Sequence, residues 1–250
     1  MPDQDQQISR HIDVLKNMAM ANWDLHLNEI QLSQLTAYTV MLLDWNKKIN
    51  LTAITDPAQI MIKHFLDSMV FVKKLDYFYP QKKLLLADIG TGAGFPGIPI
   101  KILRPQINIT LIDSLAKRIS YLDHVIEALN LKGIKAIHAR AEDIGRDQEH
   151  RECYDVVVAR AVAEFPVLLE YCTPLLKIGG RFIAAKGLDP EKEILLAKNA
   201  LNVLNCQIEL YENYKLAEGA DHRSLIIVRK TGQTLAQYPR KPGKPKKDPL

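Results

Sequence analysis

Cysteine is scarce in this 250-residue chain: there are three, at positions 153, 172 and 206, spaced far apart. That sparse, odd count offers no disulfide framework and no metal-ligand spacing, and it points to a reducing compartment with each thiol a small buried hydrophobe. No apolar run approaches the length of a membrane span, and no opening segment joins a charged start to an apolar centre and a cleavage site. A cytoplasmic protein without membrane contact or bound metal is therefore expected. Internal repeats are missing as well, and so is any charge bias over most of the chain. Of 33 basic and 29 acidic side chains, five and one respectively lie in residues 231–250, so the first 230 balance and the net charge of +4 belongs to the end. What remains, 47% hydrophobic and 25% charged, is ordinary for a globular protein with a sizeable core.

Hydrophobic periodicity divides the chain. Residues 8–75 read as helical. Between Asn28 and Ile49 the residues Ile30, Leu35, Leu42, Trp45 and Ile49 recur at helical spacing. Asp56-Pro57 is a cap followed by proline at the first helical position, opening a helix to about Leu75. From Lys83 onward short β-like runs alternate with helical ones, the signature of parallel βαβ units. Strands are expected at Leu84–Ile89, Ile107–Ile112, Ile134–His138, Asp155–Ala159, Arg181–Ala185, Gln207–Tyr214 and Ser224–Lys230. Helices are expected near 98–103, 115–130, 164–176 and 190–203. The short gap between the last two strands has room for a loop and no helix, so they should pair antiparallel. The expected fold class is α/β, with a seven-stranded, mostly parallel Rossmann-like sheet behind a helical extension. The expected division is a helical cap over 1–80, a core over 81–230 and a basic tail over 231–250.

The tail, YPRKPGKPKKDPL, is too rich in proline and glycine for a helix or a core contribution to be expected. Two readings stand: a solvated terminus, or an extended strip along a nucleic-acid backbone through residues such as Arg240 and Lys241.

After the apolar run LLLA comes D-I-G-T-G-A-G-F-P-G-I-P, residues 88–99. From Gly92 it reads as a dinucleotide fingerprint; from Asp88 it reads as the first motif of S-adenosylmethionine (SAM) methyltransferases. Both need glycine where backbone approaches a ligand, and both want an acid after the second strand, which Asp113 supplies. The prolines discriminate. A pyrophosphate is held by free amides at a helix start, and Pro96 and Pro99 have none. The Asp88 register also begins inside the strand, so SAM is the expected cofactor, on a class I methyltransferase layout. Ala141-Glu142-Asp143 follows the third strand, where such folds contact adenine; acids at a helix start are the competing explanation.

The fourth strand, Y-D-V-V-V-A-R-A-V-A, carries neither an amine-methylating N-P-P-Y or D-P-P-Y motif nor a Pro-Cys nucleophile. Arg160 is permanently protonated, and no catalytic residue is assigned. A missing base permits guanine N7 as acceptor, because that nitrogen has a lone pair and no proton to lose. Alignment in a near-attack geometry can then supply ~7–11 kcal/mol of the barrier.

The chain resembles the glucose-inhibited division protein B family, methyltransferases of guanine N7 in the 530 loop of 16S rRNA. The resemblance is carried, in order, by NLTAI at 50–54, HFLDS at 64–68, the glycine motif at 88–99, LIDSLAKR at 111–118 and RAE at 140–142. It continues through ARAVA at 159–163, GGRFIAAKG at 179–187 and YPRKPG at 238–243. It implies transfer from SAM to guanine 527 of 16S rRNA, free or in the small subunit. It also implies SAM contacts at Gly90, Phe95, Ala141, Glu142 and Arg160; Asp113 is added from the strand argument. Phe95 has a second reading as a hydrophobic plug, and Arg160 as a helix cap or partner of Asp155. His64 and Asp67 share a helix face, as a structural pair or as substrate contacts. Lys186 and Arg223 either meet a phosphate or reach solvent. A monomer is expected. Two rivals are a methyltransferase of small molecules or proteins and a non-catalytic RNA-binding module.

Overall fold

The computed structural model describes residues 2–80, 83–160, 163–187, 190–217 and 222–250. Four helices come first: α1 (Pro2–Trp23), α2 (Glu29–Asn46), α3 (Pro57–Ile60) and α4 (Asp67–Phe78). Helix α2 starts with a capping box: Asn28 accepts from the Gln31 amide, and the Gln31 side chain accepts from the Asn28 amide, both at 3.0 Å. Its buried face is Leu32, Leu35, Tyr38, Thr39, Leu42 and Leu43. Ile30 does not belong to that face, being 73% exposed. At about 100° per residue it lies some 140° round the helix from Leu35. Asp56 caps α3 through the Gln59 amide at 2.8 Å, with Pro57 next. The expected single helix to Leu75 is interrupted, because Met61–Leu66 winds as a π-helix between α3 and α4. Such widened turns recur at functional sites.

Beyond them the chain alternates: β1 (Leu85–Ile89), α5 (Gly97–Leu103), β2 (Asn108–Asp113), α6 (Ala116–Ala128), β3 (Ile134–His138), α7 (Ala141–Ile144), β4 (Tyr154–Arg160), α8 (Phe165–Cys172) and β5 (Leu176–Lys186). Then come α9 (Pro190–Leu196), α10 (Lys198–Val203), β6 (Cys206–Lys215), β7 (His222–Lys230) and α11 (Lys244–Lys247). The seven strands form one sheet in the order β3-β2-β1-β4-β5-β7-β6. The first five are parallel; β7 pairs antiparallel with β5 and with β6. The hairpin β6–β7 is the antiparallel pair that the short connection requires. Helix 190–203 is two pieces, and β5 begins five residues before its expected start.

Alternation along the strands gives the sheet two apolar faces. Leu86, Val156, Val158 and Ile183 join α1–α6 on one side. Ala87, Val157, Phe182 and Val228 join α8 and α10 on the other. The front helices thus share one core with a sheet face, and Tyr38 and Asp67 tie them to the loop after β1 and to the end of β4. Among the described residues no helix is long and apolar enough to cross a membrane.

Helix α5 packs hard on β1 and β2. A Cβ on Gly97 would collide with the Leu111 side chain and lie 2.8 Å from Asp88 Oδ2. Gly97→Ala is therefore expected to lower stability by ~1–3 kcal/mol through overpacking. A denaturant midpoint equal to that of the parent would refute this.

Candidate methyl-donor and acceptor site

Strand β1 ends in a loop held from three sides. Gly90, with φ +67, and Thr91 donate to the Ile112 carbonyl at 2.9 and 3.2 Å. The Tyr38 hydroxyl, from α2, donates to the Ala93 carbonyl. Asp88 lies beneath, fully buried: its Oδ2 accepts from Thr91 Oγ1 at 2.7 Å and from the Gly97 amide at 2.8 Å. Burial pushes its carboxyl up to about 6, against the lowering pull of those two hydrogen bonds. The amide at the start of α5, which a pyrophosphate would need, is thus occupied by the protein's own carboxylate. This is a second obstacle to a dinucleotide, beside the prolines.

Asp113, at the end of β2, braces the same loop. It is 3% exposed; Oδ2 accepts from the Gly92 amide at 2.9 Å and from Arg118 Nη1 at 3.1 Å, and Oδ1 from the Leu115 amide at 3.0 Å. Three donors fill about three of a carboxylate's four lone-pair sites. Above the strand ends opens a cavity of ≈ 580 Å³ lined by Gly90, Asp113, Ala141, Glu142 and, from the far end of the chain, Gly243 and Lys246. That is within the ~300–1,000 Å³ of small-molecule sites and outside the carboxyl ends of the strands, where open α/β sheets bind ligands.

A second cavity of ≈ 220 Å³ adjoins it, sharing Gly90 and Arg118, and is lined by Thr52, His64, Phe95 and Arg160. Phe95 is 4% exposed and stacks on His64 with centroids 4.6 Å apart. It also stacks on Tyr38 at 5.3 Å, so plug and cavity wall coexist. Arg160 leaves β4 toward the π-helical turn and donates to the Lys63 carbonyl at 3.0 Å and to Asp67 Oδ2 at 3.0 Å. Its Nη2 is 3.2 Å from His64 Nδ1, and its guanidinium lies over Phe95 at 5.1 Å. The partner of Arg160 is Asp67; Asp155 instead accepts from the Leu85 amide and Lys177. Asp67 is 1% exposed and also accepts from the Tyr214 hydroxyl at 2.8 Å, so it stands behind Arg160, away from both cavities. His64 Nε2 meets Thr52 Oγ1 at 2.8 Å. Burial, then the charges of Arg160 and Arg223, push His64 down to about 3. It is neutral at any working pH.

Besides Asp67, four expected site residues lie outside both cavities. Lys186 is tied to the Ala163 carbonyl at 2.8 Å and to Glu193 at 2.9 Å. Arg223 lines neither cavity, and its buried Nε has no acceptor among the described residues. Arg240 is paired with Glu170 at 2.6 Å, an acid whose side chain is 1% exposed. Lys241 is exposed. The tail is neither free nor extended: Tyr238 is buried in the core and 244–247 is helical. Proline count misled here because Arg146, Arg151 and Glu170 supply distant partners that composition does not reveal. Sequence reasoning also passed over Arg118, Gly243 and Lys246. Arg118 and Gly243 had a signal, each closing a motif quoted above, LIDSLAKR and YPRKPG; Lys246 had none.

The sheet order, the glycine loop and the cavity over the strand ends define a class I SAM-dependent methyltransferase. A SAM-dependent methyltransferase from Aquifex aeolicus shares the fold at TM-score 0.51 and 14% identity, over 76% of this chain and 98% of that one. The 16S rRNA (adenine(1408)-N(1))-methyltransferase of Catenulisporales acidiphilia does so at TM-score 0.51 and 13% identity, over 61% and 87%. More specifically, the chain belongs to the GidB family, rRNA small subunit methyltransferase G, whose model matches residues 31–224. Relatives with the name ribosomal RNA small subunit methyltransferase G include one from Desulfitobacterium hafniense, 46% identical over 97% of this chain and 99% of that one. Another, from Acetivibrio thermocellus, is 47% identical over 92% and 93%.

Proposed function

We propose that this protein transfers a methyl group from SAM to N7 of a guanine in 16S rRNA. The observation that carries the acceptor assignment is the makeup of the smaller cavity. Among the described residues lining it the ionisable groups are His64, Arg118 and Arg160, and no carboxylate is among them. Two are permanent cations, and the third is too weakly basic to take a proton. A cavity without a base suits an acceptor that has no proton to lose.

The residues present fit SAM. Asp113 keeps about one acceptor site for a ribose hydroxyl, Ala141 and Glu142 stand where adenine would lie, and Gly90 lets backbone approach closely. When bound, SAM supplies an electrophilic methyl on a sulfonium centre. Phe95, clamped between His64 and Tyr38, gives an incoming base a rigid apolar edge. Arg160 is held by Asp67 and the Lys63 carbonyl, so it presents a fixed positive charge and requires no reorganisation during the reaction. Burial of Asp67 keeps water from competing for that ion pair. The helices of residues 2–80 and the loop between α2 and α3 form the wall that carries His64 and Thr52, the strand ends from β1 to β4 carry the donor site, and the segment 231–250 closes its outer edge.

Incubation of the protein with small-subunit rRNA and methyl-labelled SAM is expected to place the label in 7-methylguanosine. Label in another nucleoside, or only in protein or small-molecule acceptors, would overturn the proposal. Because His64 is neutral and no base is used, the single-turnover rate is expected to be flat between about pH 6.5 and 8.5. An inflection near neutrality would reveal a general base and exclude the N7 reading.

A further inference from the structure

The basic end of the chain is folded back across the mouth of the larger cavity. Arg146 donates to the Pro239 carbonyl at 2.8 Å, Arg151 to the Tyr238 carbonyl at 2.7 Å, and Arg240 is gripped by Glu170. These ties bring the chain past Gly145, where a Cβ would lie 2.9 Å from Pro239. Beyond them Gly243 turns left-handed, φ +83, and its amide donates to Glu142 Oε1 at 2.9 Å. Helix α11 then places Lys246 on the cavity wall.

Glu142 is 6% exposed and sits in a one-turn helix, so little local structure orients its carboxylate. Besides the neighbouring Tyr171 side chain, the donor that orients it is a backbone amide 101 residues away. We propose that Gly243 is a positioning residue of the methyl-donor site: its amide fixes Glu142 against the cofactor, and its left-handed turn seats the carboxy-terminal segment as the cavity's outer wall. This rests on the methyltransferase reading above and assigns the segment to cofactor retention. The left-handed turn explains why glycine is needed. An L residue with a branched Cβ resists that φ, whereas asparagine tolerates it. Among the described residues nothing lies within 4 Å of a Cβ at this position, so the first added carbon meets no protein wall and the strain it brings is in φ.

The test is calorimetric titration of SAM into the full-length protein without RNA, for the parent, Gly243→Asn and Gly243→Val, each also in a Glu142→Ala background. Gly243→Asn should bind as the parent does, and Gly243→Val roughly tenfold more weakly. In the Glu142→Ala background Gly243→Val should cause no further loss. In turnover, the KM for SAM should rise in Gly243→Val while the KM for rRNA stays unchanged. Equal affinity of Gly243→Val and parent, equal losses in Gly243→Asn and Gly243→Val, or losses that add to that of Glu142→Ala would each overturn the proposal. So would a lowered melting temperature with unchanged SAM affinity, which marks a merely structural staple. A parent protein that does not bind SAM would instead overturn the proposed function.

Discussion

Replacing Asp113 by alanine is expected to weaken SAM binding by about two orders of magnitude while the chain stays folded. A ribose hydroxyl on a carboxylate is a charge-assisted contact, and losing it costs about 1.5–3 kcal/mol, or roughly 10–100-fold. The same carboxylate holds the Gly92 and Leu115 amides and Arg118, so the loop that faces the ligand loosens too. Stability suffers less than binding, because these donors border a cavity open to water, which replaces the lost acceptor. Asp113→Asn keeps one oxygen and should recover part of the affinity. Calorimetric titration beside a thermal melt checks both halves. Unchanged affinity in Asp113→Ala would show that the cofactor does not use this site.

Arg160→Ala is expected to abolish methyl transfer and to lower the melting temperature by on the order of 10 °C. Its removal strands Asp67, 1% exposed in the parent, with the Tyr214 hydroxyl as its remaining side-chain partner among the described residues. Breaking one side of a buried pair costs ~3–5 kcal/mol, and a domain of this size loses about 2–4 °C per kcal/mol. The double variant Arg160→Ala with Asp67→Asn removes the stranded charge, so most of the stability should return without the activity. That separation distinguishes a site role from a packing role. Full activity in the double variant would mean that Arg160 serves the fold alone. Removing the guanidinium also lifts one of the influences lowering His64, although burial, the larger cause, remains. The His64 resonance followed by NMR should accordingly titrate at a higher pH in the double variant.

Much of this was legible in the residues. Strand positions, the parallel order of the βαβ units and the antiparallel end follow from period-2 runs, helical runs and loop length, all local quantities. The glycine motif, Asp113 and Ala141-Glu142 were readable because a ligand above a parallel sheet is met by strand ends, and strand ends are visible in sequence. The interrupted helix at 61–66 was not, since its widened turn is set by Arg160 reaching across from β4 to the carbonyls of Lys63 and His64. Lys186 and Arg240 looked like free cations for the same reason: their partners, Glu193 and Glu170, lie on other elements.

By itself, then, the sequence determined the sheet, the helical front, the choice of SAM over a dinucleotide and the family. Those depend on spacing and on which residues lack an amide or tolerate a positive φ. Only the tertiary structure decided what each charge does. It seated Asp67 behind Arg160, lowered His64 until it ceased to be a base, and folded the basic end across the cavity onto Glu142. Burial and long-range pairing set the behaviour of an ionisable group, and both arise when distant segments meet.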